Sequence, residues 1–187
     1  MIKNIFTIIF IITFSTQAFS QKCENSIDPF TNEQVISFDF NQKSVYFEIK
    51  EKKIVFEVIF SYWGERDYEF MERTELLFKL ENGTKLELKT IRKSSPKIEN
   101  VTSSSASVLF PRFGAGGTSS TTENFTSYSF TFTLTPEEII KLAESQIEII
   151  RIPETDNEGY VDLEAKGKTK RKVKAINKGA ICLSENL

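Results

Sequence analysis

The segment 62–70, YWGERDYEF, combines aromatic rings with acids and holds the only tryptophan of the chain. Flat aromatic rings stack on the apolar face of a sugar ring, and neighbouring carboxylates accept its hydroxyl protons. Tyr62, Trp63 and Tyr68 are therefore candidate sugar-binding residues. In the alternative interpretation, Trp63 is a core residue at the end of a strand and the charged neighbours form a solvated turn.

The acids of the same segment support a second hypothesis, a carboxylate-dependent glycan hydrolase. Glu65 and Asp67 can act as acid and base only if their carboxyl groups lie about 5 to 9.5 Å apart across a bound sugar. The chain has no histidine and only two cysteines, which removes His-based triads and most zinc sites. The acidic run Asp156 to Gly159 is too short for a helix-loop-helix calcium site. We predict no metal and no cofactor, and binding without catalysis.

A second candidate region is the Ser/Thr/Gly-rich segment 102–122, which contains FPRFGAGG at 110–117. Its glycines have neither the spacing nor the following helix of a nucleotide-binding loop. One interpretation makes Ala106–Phe110 a core strand between two flexible hydrophilic loops. In the other, Phe110, Arg112 and Phe113 lie on a mobile loop and contact a partner.

The strongest local charge lies between residues 165 and 178, which carry basic residues and no acid. The formal net charge of the whole chain is only −2, and this does not indicate a nucleic-acid partner. The basic segment either contacts an anionic surface of the cell envelope or forms a solvated face. Its members are Lys166, Lys168, Lys170, Arg171, Lys172, Lys174 and Lys178.

Residues 1–20 have the pattern of a secretory signal peptide. Lys3 precedes an apolar run from Ile5 to Phe14, and Ala18-Phe19-Ser20 provides a small-x-small cleavage site. The apolar run is shorter than the roughly 20 residues that span a bilayer, so a retained membrane anchor is the weaker alternative. We predict a secreted or periplasmic protein with no membrane span after cleavage. In such a compartment Cys23 and Cys182 are expected to form a disulfide, although two free or separately paired thiols are the alternative.

Alternating apolar residues indicate antiparallel hairpins. Folding residues 45–58 about the turn at 50–53 opposes Val45 with Val58 and brings apolar residues together on one face. In residues 76–88 only a three-residue turn, Glu81-Asn82-Gly83, opposes Phe78 with Leu86 and puts Gly83 at a left-handed position.

The remaining pattern predicts further strands and a short helix. Strands are expected at 35–40, 128–134, 146–152 and 160–165. Thr135 and Glu138 form a capping box for a helix that starts at Pro136, and the spacing of apolar residues from 173 to 183 favours a second helix. The expected fold is mainly β: one domain, 21–187, an antiparallel β-sandwich of about eight strands with one or two short helices.

Two short motifs carry a family resemblance. The stretch from Cys23 to Asp28-Pro29-Phe30-Thr31, just after the signal, together with the Thr-Pro-Glu-Glu helix start at Thr135, resembles small exported proteins of Bacteroidota that have no assigned activity. The resemblance implies a Gram-negative cell-envelope or secreted location and no reaction. The residues before Cys23 lack a lipid-attachment box. The expected partner is an envelope protein or a glycan, and the expected role is that of a binding or accessory module.

Overall fold

The computed structural model describes residues 23–110, 115–154 and 159–187, with the backbone alone for 103–110 and 115–119. The predicted signal peptide, residues 1–20, lies outside the described residues. Within the described ranges the chain forms ten strands and two helices. The strands are β1 (Cys23–Ile27), β2 (Gln34–Phe40), β3 (Val45–Lys50), β4 (Lys53–Trp63), β5 (Glu75–Leu80), β6 (Lys85–Lys89), β7 (Lys97–Phe110), β8 (Ala115–Leu134), β9 (Ile147–Pro153) and β10 (Tyr160–Glu164), and the helices are α1 (Pro136–Glu144) and α2 (Gly167–Ser184).

The strands form two antiparallel sheets, which confirms the expected mainly β, sandwich-like fold. The large sheet has the order β1-β2-β3-β4-β8-β7, and the small sheet has the order β10-β9-β5-β6. β1 was not predicted, and α2, at 18 residues, is longer than the short helix expected. The CENSI sequence of β1 has no apolar alternation, and all five of its residues are exposed, so nothing in its pattern marks a strand.

The two hairpin registers predicted from apolar pairing are confirmed. Val45 opposes Val58 and Phe47 opposes Phe56 in the first hairpin. In the second, Phe78 opposes Leu86, and Gly83 has a φ of +86° in the three-residue turn. Each register puts apolar residues on one face, because side chains alternate along a strand.

Phenylalanine rings join the two sheets. The ring centroid of Phe78 on the small sheet lies 6.4 Å from that of Phe56 and 6.1 Å from that of Phe132, both on the large sheet. Phe56 and Phe132 are themselves 5.5 Å apart, and Phe47 stacks on Phe56 at 4.4 Å. All four side chains are fully buried. This inner face of the large sheet is the centre of the core.

The two helices cover the part of the inner face of the large sheet that the small sheet does not cover. α1 begins with the predicted capping box, in which Thr135 and Glu138 bond reciprocally. α2 packs against β2 and β3, and a Cβ added at Gly179 would lie 2.4 Å from the Phe47 ring and 2.8 Å from the Phe38 ring. Gly179 weakens the helix prediction from sequence, but its missing side chain is what lets the helix approach the sheet closely.

The Ser/Thr-rich region continues two strands beyond the sheet. β4 pairs with β8 only from residue 125 onward, whereas β7 pairs with β8 up to Phe110↔Ala115. Residues 100–110 and 115–124 therefore form a two-stranded ribbon. Residues 106–110 are a strand, as one interpretation expected, but they continue β7 and do not lie between two loops. Pairing with the opposite strand satisfies the backbone groups whatever the side chains are, so alternation of apolar residues gives no signal here.

The predicted disulfide joins the first strand to the last helix. Cys23 in β1 and Cys182 in α2 are bonded across 159 residues, with Cα atoms 5.6 Å apart. α2 is thereby fixed to the edge of the large sheet. Among the described residues, neither helix combines the length and apolar character that crossing a bilayer requires.

Candidate functional site

Trp63 lies on the surface at the end of β4. Its side chain is 66% exposed, so the interpretation as a core residue is wrong. It opposes Phe125 of β8, and the two rings meet edge to face with centroids 4.7 Å apart and planes at 77°. We call these two rings the aromatic platform. The platform sits where the ribbon leaves the sheet.

The platform faces outward because of its position in the strand alternation. The even-numbered residues of β4 from 54 to 62 are buried on the inner face. Trp63 is odd-numbered, so its side chain lies on the outer face. Tyr62 and Tyr68, predicted from the sequence to bind a sugar together with Trp63, are separated from it in the structure. Tyr62 is 5% exposed on the inner face, and Tyr68 is half-buried and stacks on Tyr128 at 5.6 Å. A ligand stacked on Trp63 does not meet those two rings.

Tyr62 and Tyr68 instead enclose a cation at the end of the core. The guanidinium carbon of Arg66 lies 4.4 Å from the Tyr62 ring centroid and 5.9 Å from that of Tyr68. The guanidinium donates to the Tyr68 hydroxyl at 2.6 Å and to Glu154 at 3.3 Å. Burial raises the pKa of the Tyr62 hydroxyl far above its usual range. These contacts fix the segment after Trp63 and stabilise the fold.

Backbone and side-chain hydrogen bonds tie the segment after Trp63 to β8. The Gly64 N–H donates to the Asn124 carbonyl at 2.8 Å, and the Arg66 N–H donates to the Thr126 hydroxyl at 2.9 Å. Gly64 has a φ of +86°, which favours glycine at this bend. The Asn124 amide then donates to the Glu65 carboxylate at 2.6 Å. A carboxylate and an amide are therefore held at the same end of β4 and β8 as the platform.

The two acids considered for glycan hydrolysis lie on the surface. The side chains of Glu65 and Asp67 are exposed, and Glu65 is bonded to Asn124. A general acid of a glycoside hydrolase is normally a shielded carboxyl group with a raised pKa. The surroundings of Glu65 suit a hydrogen-bond acceptor for a hydroxyl group better than a proton donor.

The N-terminal turn of α2 lies against the platform. The ammonium of Lys168 is 5.7 Å from the Phe125 ring centroid. Lys172, one turn further along, donates to the Ile59 carbonyl and lies 5.2 Å from the Phe60 ring centroid. Burial lowers the pKa of Lys172 to about 8. Part of the basic segment thus belongs to the site.

Sequence reasoning missed Phe125 and Asn124, and it included Lys168 only as a member of the basic segment. Phe125 and Trp63 share the outward parity of paired strands, but that is visible only once β4 is known to extend to residue 63 opposite β8. The predicted contact residue Phe110 ends β7 with its backbone described, whereas Arg112 and Phe113 lie outside the described residues. Their predicted role stays a prediction.

The part of the chain that the structure describes contains no group of three or more acidic, cysteine or histidine residues able to hold a metal ion. Comparison with protein-family models, with curated proteins and with solved structures finds no significant match to this chain. The geometry of the site is therefore the basis for a functional proposal.

Proposed function

We propose that this chain is an exported, non-catalytic binding module that recognises a glycan on the aromatic platform. The observation that carries the proposal is the exposed ring of Trp63, 66% accessible and supported edge to face by Phe125. Exposing an indole costs burial energy of the order of 1.5 to 3 kcal/mol, which a ligand recovers when it covers the ring.

The polar groups at the same end of β4 and β8 suit hydroxyl recognition, with Asn124 on the strand parity opposite to that of Phe125. The Glu65 carboxylate accepts hydrogen bonds, and the Asn124 amide provides a donor and an acceptor. They are bonded to each other at 2.6 Å and anchored by the Gly64–Asn124 backbone bond, so both are pre-positioned. Pre-positioned groups bind with a smaller entropic cost than mobile ones.

The location completes the proposal. We infer that residues 1–20 direct the chain to the periplasm or the exterior, where the Cys23–Cys182 bond is stable. The helices described contain no candidate membrane span, which is compatible with that location. Isolation of native protein whose N-terminus is Gln21 would support export; recovery with residues 1–20 attached would contradict it.

An oligosaccharide array with the mature chain tests the binding role. Trp63→Ala is expected to abolish binding of any glycan that the parent chain retains. Tyr160→Ala is the matched control, since Tyr160 is an aromatic residue of similar exposure, 61%, on the small sheet. Equal loss in both variants, or no retained glycan, would overturn the proposal. Release of shortened products from a bound glycan, lost in Glu65→Gln, would favour the hydrolase instead.

A further inference from the structure

A cavity adjoins the platform where α2 crosses the end of β4. Its volume is about 140 Å³, which exceeds the roughly 10 to 15 Å³ needed to hold one water molecule. It has room for a charged substituent and part of a sugar ring. The lining residues are Phe60, Ser61, Leu163, Lys168, Thr169 and Lys172.

Lys172 occupies the position that a neighbouring strand would otherwise fill. The pairing of β3 with β4 ends at Val45↔Val58, and the Ile59 N–H then bonds to the Ser44 carbonyl at 3.1 Å. The Ile59 carbonyl receives the Lys172 ammonium instead. An ammonium has three donors, and in the described part of the chain that of Lys172 uses one, which leaves two for a group in the cavity.

The cavity contains positive charge without a matching carboxylate. Among the described residues, neither Lys168 nor Lys172 lies within 4.0 Å of an acidic oxygen, whereas Lys166, just before α2, pairs with Glu164. A partly buried cation without a counter-ion is costly, and a bound anion offsets that cost. Ser61, whose hydroxyl shares a 2.8 Å hydrogen bond with that of Ser127, and Thr169 add polar residues to the same lining.

Lys168 connects the cavity to the platform. Lys168 lines the cavity and is also 5.7 Å from the Phe125 ring. Ser61 and Trp63 are two residues apart on one face of β4, a separation of about 7 Å. Adjacent units of one oligosaccharide can therefore contact the ring and the ammonium groups at once.

We propose that the glycan bound by the platform is acidic: one sugar stacks on Trp63, and a carboxylate, sulfate or phosphate group of the adjoining unit binds Lys168 and Lys172 in the cavity. This inference rests on the proposed glycan-binding function and specifies its ligand class. The charged group of the glycan provides the counter-ion that the described residues do not provide. The stacked sugar ring covers the exposed face of Trp63.

The test is a panel of oligosaccharides bearing carboxylate, sulfate or phosphate groups, each measured beside its neutral parent, for example oligogalacturonate beside its methyl ester. An acidic member is expected to bind at least tenfold more tightly than its parent, and Lys168→Gln is expected to remove roughly tenfold of that affinity. The neutral parent should bind Lys168→Gln and the unmodified chain equally. Lys172→Met is the second variant, with its fold checked by circular dichroism.

Lys178→Gln is the control, because Lys178 is an exposed residue of α2 that does not line the cavity and its loss changes the net charge equally. Equal binding of acidic and neutral members through Trp63 would overturn the acidic specificity and leave glycan binding in place. Acidic members that bind Trp63→Ala unchanged would overturn both proposals, as would a panel with no bound member. Equal losses in Lys168→Gln and Lys178→Gln would show general charge attraction and overturn the cavity site.

Discussion

Strands β4 and β8 carry aromatic residues on both faces, and the two faces differ in what those residues contact. On the inner face Phe132 is fully buried between Phe56 and Phe78. On the outer face the Trp63 ring meets Phe125 and is otherwise largely open to solvent. Tyr62 and Trp63 are adjacent in sequence but have opposite exposure. Strand parity therefore separates aromatic residues that stabilise the fold from those available to a ligand.

The largest expected difference is in the loss of stability caused by substitutions on the two faces. Phe132→Ala should lower the free energy of unfolding by about 3 to 5 kcal/mol, because it leaves a cavity among packed rings. Trp63→Ala should lower it by less than about 1 kcal/mol, since the ring is mostly exposed. Urea unfolding followed by circular dichroism measures both. Comparable losses would mean that Trp63 supports the fold and that the comparison is wrong.

Reduction of the disulfide is expected to lower the stability of the fold without changing the surroundings of the platform. Loss of the Cys23–Cys182 bond, which joins residues with a sequence separation of 159, should lower the free energy of unfolding by about 2 to 5 kcal/mol. Under conditions where the reduced chain stays folded, the fluorescence of Trp63 should be unchanged. The double variant Cys23→Ser, Cys182→Ser should not respond to reductant. A change in Trp63 fluorescence on reduction would show that the outer face depends on the bond.

Lys172 lies at the boundary of the two faces, and its burial predicts a pH dependence of stability. The pKa of Lys172 is about 8 in the folded chain and 10.5 ordinarily, so between those values the unfolded chain binds more protons. The free energy of unfolding should therefore rise with pH across that interval, by at most an amount on the order of 3 kcal/mol. Below pH 8 the full cost of the buried charge is present.

Titration of stability in Lys172→Met tests this expectation, because the rise assigned to Lys172 should be missing from the variant. Lys168→Met is the control: Lys168 is exposed on the same helix, so the rise should remain there. A rise of the same size in Lys172→Met and in the parent chain would contradict the assignment to Lys172.

The smallest expected effect is a difference in stability between substitutions of two buried tyrosines. The Tyr128 hydroxyl donates to the Tyr68 carbonyl at 2.9 Å, so Tyr128→Phe should cost about 0.5 to 1.5 kcal/mol. The Tyr62 hydroxyl is buried and has no hydrogen-bond partner among the described residues, so Tyr62→Phe should be neutral or slightly stabilising. Thermal unfolding of the two variants measures the difference. A larger cost for Tyr62→Phe would indicate an undescribed partner.

The sequence predicts the parts of the fold where apolar residues alternate against a buried layer. The pairs Val45↔Val58 and Phe78↔Leu86 follow from matching apolar faces, and the capping box at Thr135 follows from local hydrogen bonding. The ribbon has no such signal, because the residues that pair there, such as Ser104 with Ser120, show no apolar alternation.

The candidate site was predicted only in part. Trp63 and its acids were recognisable by residue type, but Phe125 and Lys168 reach it through strand and helix packing between distant parts of the chain. The exposure of Trp63 follows from the register of β4 with β8, which residue type does not determine.

The link between the first described strand and the last helix also gives an order to events during synthesis. Cys23 is synthesised long before Cys182, and the structure describes no free cysteine with which either can pair. Within one chain the covalent link therefore forms only after residue 182 has been made, and it needs an oxidant but no correction of mismatched bonds. An oxidised chain is thereby marked as one whose synthesis has reached at least the last helix.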